Sequence, residues 1–167
     1  PADAYAQLAR AAAARGTRLV LDTSGPALGA ALQAGVYLVK PSLRELQDHT
    51  ALPLDQTDQR LAACRHLIRA GQAQVVALSL GAEGALVVSA TQAWQARALG
   101  VPVASTIGAG DSFVGGLVVA LARGEALADA VRVALAASAA ALLSHGTALC
   151  EPEDVRRLAP QVQLAPC

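Results

Sequence analysis

Three short apolar runs set the architecture open to this chain. TRLVLD at 17–22, VYLV at 36–39 and QVVALSL at 74–80 are nearly continuous in aliphatic residues, the pattern of strands covered on both faces. Helix-patterned segments over 26–34, 43–48 and 57–70 separate them, and Gly35 and Gly71 stand where two of those helices end. Strand, helix, strand in series requires a crossover, which lays consecutive strands side by side and parallel. The predicted class is α/β, with a largely parallel sheet flanked by helices.

The remaining elements fill in around this frame. A helix over 2–15 precedes Gly16. Ser42 opens Ser-Leu-Arg-Glu, a capping box in which the Ser and Glu side chains each satisfy a backbone donor at the helix start. ALVVS at 85–89 predicts a strand joined to 74–80 by the tight connection Gly81-Ala-Glu-Gly84, and 92–97 predicts a short antiparallel strand. Beyond Pro102 the chain is extended to Ile107, then enters a helix ending at 123; two more helices cover 126–143 and 152–158.

A length of 167 residues suits one domain or a part of one. The 54% apolar content overstates the core, because 40 residues are alanine and only four, Tyr5, Tyr37, Trp94 and Phe113, are aromatic. Thirteen basic residues balance thirteen acidic ones. That balance argues against nucleic acid and anionic membranes as partners, both of which need a basic excess. Cys64, Cys150 and Cys167 form neither a metal-spaced pair nor a disulfide framework, and fit a reducing cytoplasm. The start has no basic and apolar leader pattern. The longest uncharged run, Val133–Cys150, is mostly alanine and holds Ser138, Ser144, His145 and Gly146; it reads as a buried helix rather than a membrane span.

The segment Ser105-Thr-Ile-Gly-Ala-Gly-Asp-Ser112 carries the sharpest chemistry. Glycines let backbone approach a ligand closely, and the following helix offers unpaired N–H groups at its positive end. Together these make an anion site. An aspartate there would repel a phosphate that merely binds. It makes sense as a general base beside a phosphoryl group in transfer, the amides holding the developing charge. A turn of glycines with Asp111 as a helix-start residue accounts for the same spacing. Lys40, in Lys-Pro-Ser-Leu-Arg-Glu45, is the only lysine among thirteen basic residues and stands at a strand end; a solvated surface lysine is the plain alternative. Ser79-Leu-Gly-Ala-Glu-Gly84 and Asp22-Thr-Ser-Gly25 also follow strand ends, where ligands of open α/β sheets sit. Several familiar sites are excluded. There is no phosphate-binding G-x-x-x-x-G-K-[ST]. The dinucleotide fingerprint fails at Phe113, no G-x-S-x-G is present, and His49, His66 and His145 have no ligand-spaced partner.

Taken in order, LVLDTSGPAL, VKPSLREL, VVALSLGAEGAL, STIGAGDSFVGG and SAAALLSHGTALC resemble the ribokinase-like, PfkB-type carbohydrate kinases over residues 17–158. The VKP-x-x-x-EL and GT-x-LC segments look most like the minor bacterial 6-phosphofructokinase branch, with the tagatose-6-phosphate and 1-phosphofructokinase branch close behind. The resemblance implies a ribokinase-like fold and ATP-dependent phosphorylation of a sugar phosphate such as fructose 6-phosphate, with Mg²⁺ and a K⁺ ion. Asp111 matches the family's base, and the backbone of Gly108, Ala109 and Gly110 its anion hole. Lys40, Ser42 and Glu45 match a segment near nucleotide phosphates and Mg²⁺; Ser79, Gly81 and Gly84 match the nucleotide loop. Leu135 and Ala139 match the adenine-side helix. Ser105, Ile107, Ala141, Ser144, Gly146 and Ala148 match a monovalent-cation site built largely of carbonyls. Ser42 and Ser144 stand where the family commonly has Asn, and Ala148 where the 6-phosphofructokinase branch has a basic residue.

Family members are longer, their first half carrying the sugar contacts and a β lid. Residues 1–167 therefore correspond to the C-terminal, nucleotide-binding part of such a kinase domain, and the resemblance implies a cytoplasmic homodimer in the full-length form. Two other readings stay open: a nucleotide-binding fragment or regulatory remnant without catalysis, and specificity for tagatose 6-phosphate or for the 1-phosphofructokinase reaction.

Overall fold

The computed structural model describes residues 3–146 and 148–167. The chain divides into two units, one of residues 1–80 and 86–93, the other of residues 81–85 and 94–167. Among the described residues no helix is long and apolar enough to cross a membrane.

The first unit holds α1 (Ala4–Ala14), β1 (Val20–Leu21), α2 (Gly25–Ala34), β2 (Val36–Val39), α3 (Leu43–Thr50), α4 (Thr57–Arg69), β3 (Ala73–Ser79) and β4 (Ala85–Ser89, its first residue in the second unit). The strands lie in the order β1-β2-β3-β4. The first three are parallel as expected, with Leu21 opposite Val39 and Val39 opposite Val76. Only five residues join β3 to β4, too few for a parallel crossover, so β4 returns antiparallel. Local chemistry explains most boundaries. Pro26 pre-sets the start of α2, and Gly35 closes it at φ +81°. The capping box of α3 forms, with Glu45 N donating to Ser42 Oγ (3.3 Å) and Ser42 N to Glu45 Oε2 (2.7 Å). The core is continuous: Leu28, Leu32, Leu46 and Leu67 from the helices pack on Val39, Val76 and Leu86 from the strands.

The first strand is much shorter than the expected 17–22. Its pairing on β2 is sparse: Leu19 O accepts from Tyr37 and Leu38 N–H, Leu21 O accepts from Lys40 N–H, and the chain then turns into α2. Ala2, the first residue of the expected helix over 2–15, lies outside the described residues.

The second unit holds most of β5 (Ala93–Ala96), then α5 (Ala109–Ala122), α6 (Leu127–Leu143), α7 (Pro152–Leu158) and β6 (Leu164–Pro166). Strand β6 pairs antiparallel with β5, Gln95 opposite Ala165; no sequence pattern marked it. The connection Gly81–Gly84 forms one 3₁₀ turn. At Gly84 (φ +105°) a Cβ would overlap Ala96 O and lie 2.7 Å from Ala98 N. Helices α5 and α6 pack backbone to backbone at Gly116, where a Cβ would lie 2.7 Å from Ala134 Cα. The alanines of α6 make that approach possible: Ala130, Ala134, Ala137 and Ala141 are all buried. A second cluster joins Ala136, Ala139 and Ala140 of α6 to Leu158 of α7.

Candidate functional site

The first unit gathers its candidates at the carboxyl ends of β1, β2 and β3. Lys40 follows β2 and is only 8% exposed, which removes the solvated-surface reading. Its Nζ lies 3.0 Å from Asp22 Oδ2, the carboxylate that follows β1. A buried ammonium without a partner is strongly destabilising, so Asp22 is what permits Lys40 to sit there. The parallel register of β1 and β2 brings together residues eighteen apart in sequence. The sequence marks Asp22 only by its place in the strand-end segment Asp22-Thr-Ser-Gly25, and nothing there points to Lys40 as its partner.

Ser42 and Ser79 are joined by an isolated parallel bridge. Ser79 donates to Pro41 O through both its N–H (2.9 Å) and its Oγ (3.4 Å). Lys40, Ser42, Glu45 and Ser79 thus share one edge of this unit. The capping box occupies one oxygen of Glu45 and leaves the other without a hydrogen bond among the described residues. A Mg²⁺ ion bound mainly through phosphate oxygens needs only one or two protein carboxylates. The oxygen of Glu45 that the capping box leaves free could supply one.

The second unit positions the Gly-Ala-Gly-Asp segment. Gly108 is the N-cap of α5, at φ +81°, ψ −4°, a left-handed conformation that glycine adopts without strain. No side chain caps the helix. The amides of Ala109, Gly110 and Asp111 therefore have no intrahelical acceptor, and the first helical bond runs from Ser112 N–H to Gly108 O (2.8 Å). Asp111 lies in the first turn of α5, exposed, and its carboxylate makes no hydrogen bond or ion pair among the described residues. Its charge still suits the positive end of the helix, but its side chain forms no cap bond.

Two loops meet beside this helix start. Ala104 N–H donates to Leu142 O (2.8 Å), and Ser105 Oγ donates to Gly146 O (2.9 Å) while accepting from Ile107 N–H (3.2 Å). On the other loop, Ser144 Oγ donates to Leu149 O (3.0 Å), Ser144 N–H to Ala141 O (3.1 Å) and Ala148 N–H to His145 O (3.3 Å). A Cβ at Gly108 would lie 3.4 Å from Leu149 Cδ2, so the second loop touches the helix start. These bonds bring Ser105, Ile107 and Gly146 together, with Ser144 on the same loop as Gly146. Thr147, inside the expected segment, lies outside the described residues. Leu135 and Ala139 are buried in α6, 6% and 4% exposed, Ala139 within the cluster around Leu158.

Residues 1–154 match the family model described as pfkB family carbohydrate kinase. The chain is 44% identical over 161 residues to the 1-phosphofructokinase of Rhodobacter capsulatus, covering 96% of this chain and 51% of that protein. It is 40% identical over 156 residues to the ATP-dependent 6-phosphofructokinase isozyme 2 of Mycobacterium tuberculosis H37Rv, covering 93% and 46%. Among solved structures, phosphofructokinase-2 from Escherichia coli in complex with potassium superposes with a TM-score of 0.92 at 38% identity, over 96% of this chain and 52% of that one. The chain spans about half the length of the curated relatives it matches. Matched over most of its length, with a glycine-capped, amide-lined helix start, this chain belongs to the pfkB family of carbohydrate kinases.

Proposed function

We propose that the protein carrying this chain transfers the γ-phosphoryl group of ATP to a hydroxyl of a sugar phosphate of the fructose 6-phosphate kind. The acceptor oxygen bonds to phosphorus, the bond to the β-phosphate oxygen breaks, ADP leaves, and the acceptor proton passes to Asp111. The observation that carries this reading is the exposed Asp111 carboxylate, free of any partner among the described residues, in the first turn of a helix whose opening amides are uncapped. A base must be free to take its proton, and unpaired amides lower the cost of charge developing on the transferred group. On this reading the amides of Gly108, Ala109 and Gly110 form the anion hole, and Lys40, Ser42, Glu45, Ser79, Gly81 and Gly84 serve the nucleotide, with Leu135 and Ala139 on its adenine side. Mg²⁺, when bound, would offset phosphate charge. Ser105, Ile107, Ala141, Ser144, Gly146 and Ala148 would hold K⁺, a reading supported by the potassium complex of the E. coli structure. The enzyme is proposed to act in the cytoplasm as a homo-oligomer.

The strong similarity to a 1-phosphofructokinase favours a second reading, in which the acceptor carries its phosphate at position 1. A coupled ADP-release assay on the intact protein, with fructose 6-phosphate, fructose 1-phosphate and tagatose 6-phosphate, separates the two. Asp111→Asn should lower kcat by roughly 10²–10⁴-fold and leave ATP affinity within a few-fold. An Asn variant keeping more than about a tenth of the activity would remove Asp111 as the base.

A further inference from the structure

Outside these residues, the first unit has an open cleft of about 770 Å³ between α3, the loop after it and α4. Its walls are apolar, with Leu54 and Leu67 buried at 1% and 2% exposure. Its ionisable side chains are all histidine or arginine. His49 and Thr50 come from the end of α3, His66 and Arg69 from α4, and no aspartate or glutamate lines it. Arg69 has no ion pair among the described residues, whereas Arg44, Arg132 and Arg157 are each matched by an aspartate on their own helix. Gln72 lines the same cleft, and its Oε1 is buried without a hydrogen-bond partner. Such an acceptor carries a desolvation cost that a donor on a bound molecule would offset. Cationic and imidazole groups without a countercharge, over an apolar floor, favour a molecule with an anionic end and an apolar body.

The cleft is also tied to the nucleotide-side residues. His49 lines it and lines a second hollow that includes Ser42 and Glu45. These residues all belong to α3 and its cap, a helix of eight residues, and His49 also packs against Gly29 of α2, 3.7 Å from that residue's Cβ position. A short capped helix moves as a unit, so a shift at His49 displaces the capping box at its other end.

We propose that this cleft binds a small organic anion, a phosphate or carboxylate on an apolar body, and that occupancy is transmitted along α3 to Ser42 and Glu45. The regulatory meaning rests on the kinase reading above; binding and transmission do not.

Phenyl phosphate is a suitable probe, with inorganic phosphate lacking the body and phenol lacking the charge. It is titrated into the intact protein while imidazole resonances and backbone amides are followed by NMR. Saturable shifts are expected at His49 and His66 but not at His145, together with shifts at the Ser42 and Glu45 amides. Arg69→Gln should weaken binding about tenfold or more; it and His66→Gln alter exposed side chains, so both variants should fold. No saturable shift at the two histidines by about 10 mM probe, or unchanged affinity in both variants, or equal binding of phenol, would overturn the site. Saturation with the Ser42 and Glu45 amides unmoved would overturn the transmission. A kinase assay that failed under every condition would sink the functional reading and leave these spectra standing.

Discussion

Gly116→Ala should destabilise the protein, although alanine is the better helix former. Gly116 is buried in α5, and a Cβ built there lies 2.7 Å from Ala134 Cα, 3.0 Å from Val133 O and 3.1 Å from Ala134 N. Carbon atoms in contact prefer about 3.5–4.0 Å, so α5 and α6 must separate by close to 1 Å. All three neighbours are backbone and none can rotate away. A gap of that order forfeits roughly a quarter to a half of each dispersion contact along the seam, and overpacking of this kind costs about 1–3 kcal/mol. The gain in helix propensity returns at most about 1 kcal/mol, leaving a net loss of up to about 2 kcal/mol where the gain is fully realised. Gly115→Ala is the internal control. It lies in the same helix, is exposed, and its Cβ would meet nothing within 4 Å. It should stabilise by about 0.5–1 kcal/mol. Urea unfolding of the two variants and the parent, followed by far-ultraviolet circular dichroism, gives the comparison. Midpoints moving in the same direction, or a Gly116 variant as stable as the parent, would refute the backbone contact as the cause.

Burial pushes the Cys64 thiol from its ordinary 9.0 up to about 12. Between those values the unfolded chain releases a proton that the folded chain keeps, so stability should fall as pH rises from 9 to 12, and the fall should be shallower in Cys64→Ala. In the native protein a thiol reagent should label exposed Cys167 and half-buried Cys150 and spare Cys64; rapid labelling of all three would contradict the buried site. Potassium should raise activity or nucleotide affinity relative to sodium, and identical kinetics in potassium, sodium and a large organic cation would remove the cation reading of Ser105–Ile107 and Ala141–Ala148. Ser42→Ala should cost about 0.5–2 kcal/mol through loss of the α3 cap, and an unchanged melting midpoint would count against that hydrogen bond.

What could be read from the residues depended on the range of the forces involved. Strand β2 and the α3 capping box are set by neighbours within four positions, and both formed where their residues placed them. Strand β6 was invisible because three residues ending in proline carry no pattern of their own; its partner, Trp94–Ala96, lies some seventy positions back. The apolar run at 17–22 is longer than the strand it forms because apolar character reports burial, whereas strand length depends on how far a neighbour pairs. At the site, residue types were legible and states were not. Nothing in Lys40-Pro-Ser shows that Lys40 is buried, because its counterion comes from another strand. Spacing alone fits Asp111 both as a helix-start residue and as a base; the structure adds that Gly108 takes the cap position and that the Asp111 side chain makes no cap bond.

The position of Gly84 has a consequence for how variation in this family can be interpreted. Any side chain there would drive its first carbon into the carbonyl of Ala96, at a backbone angle that other residues rarely adopt. Every codon change away from glycine meets the same wall, so the position is closed to drift whether or not a nucleotide ever approaches it. Gly81, also at positive φ but with open space around it, is under no such steric veto and could pass to asparagine. Invariance at 84 would therefore follow from the packing of the fold, whereas at 81 only the backbone angle stands in the way of another side chain.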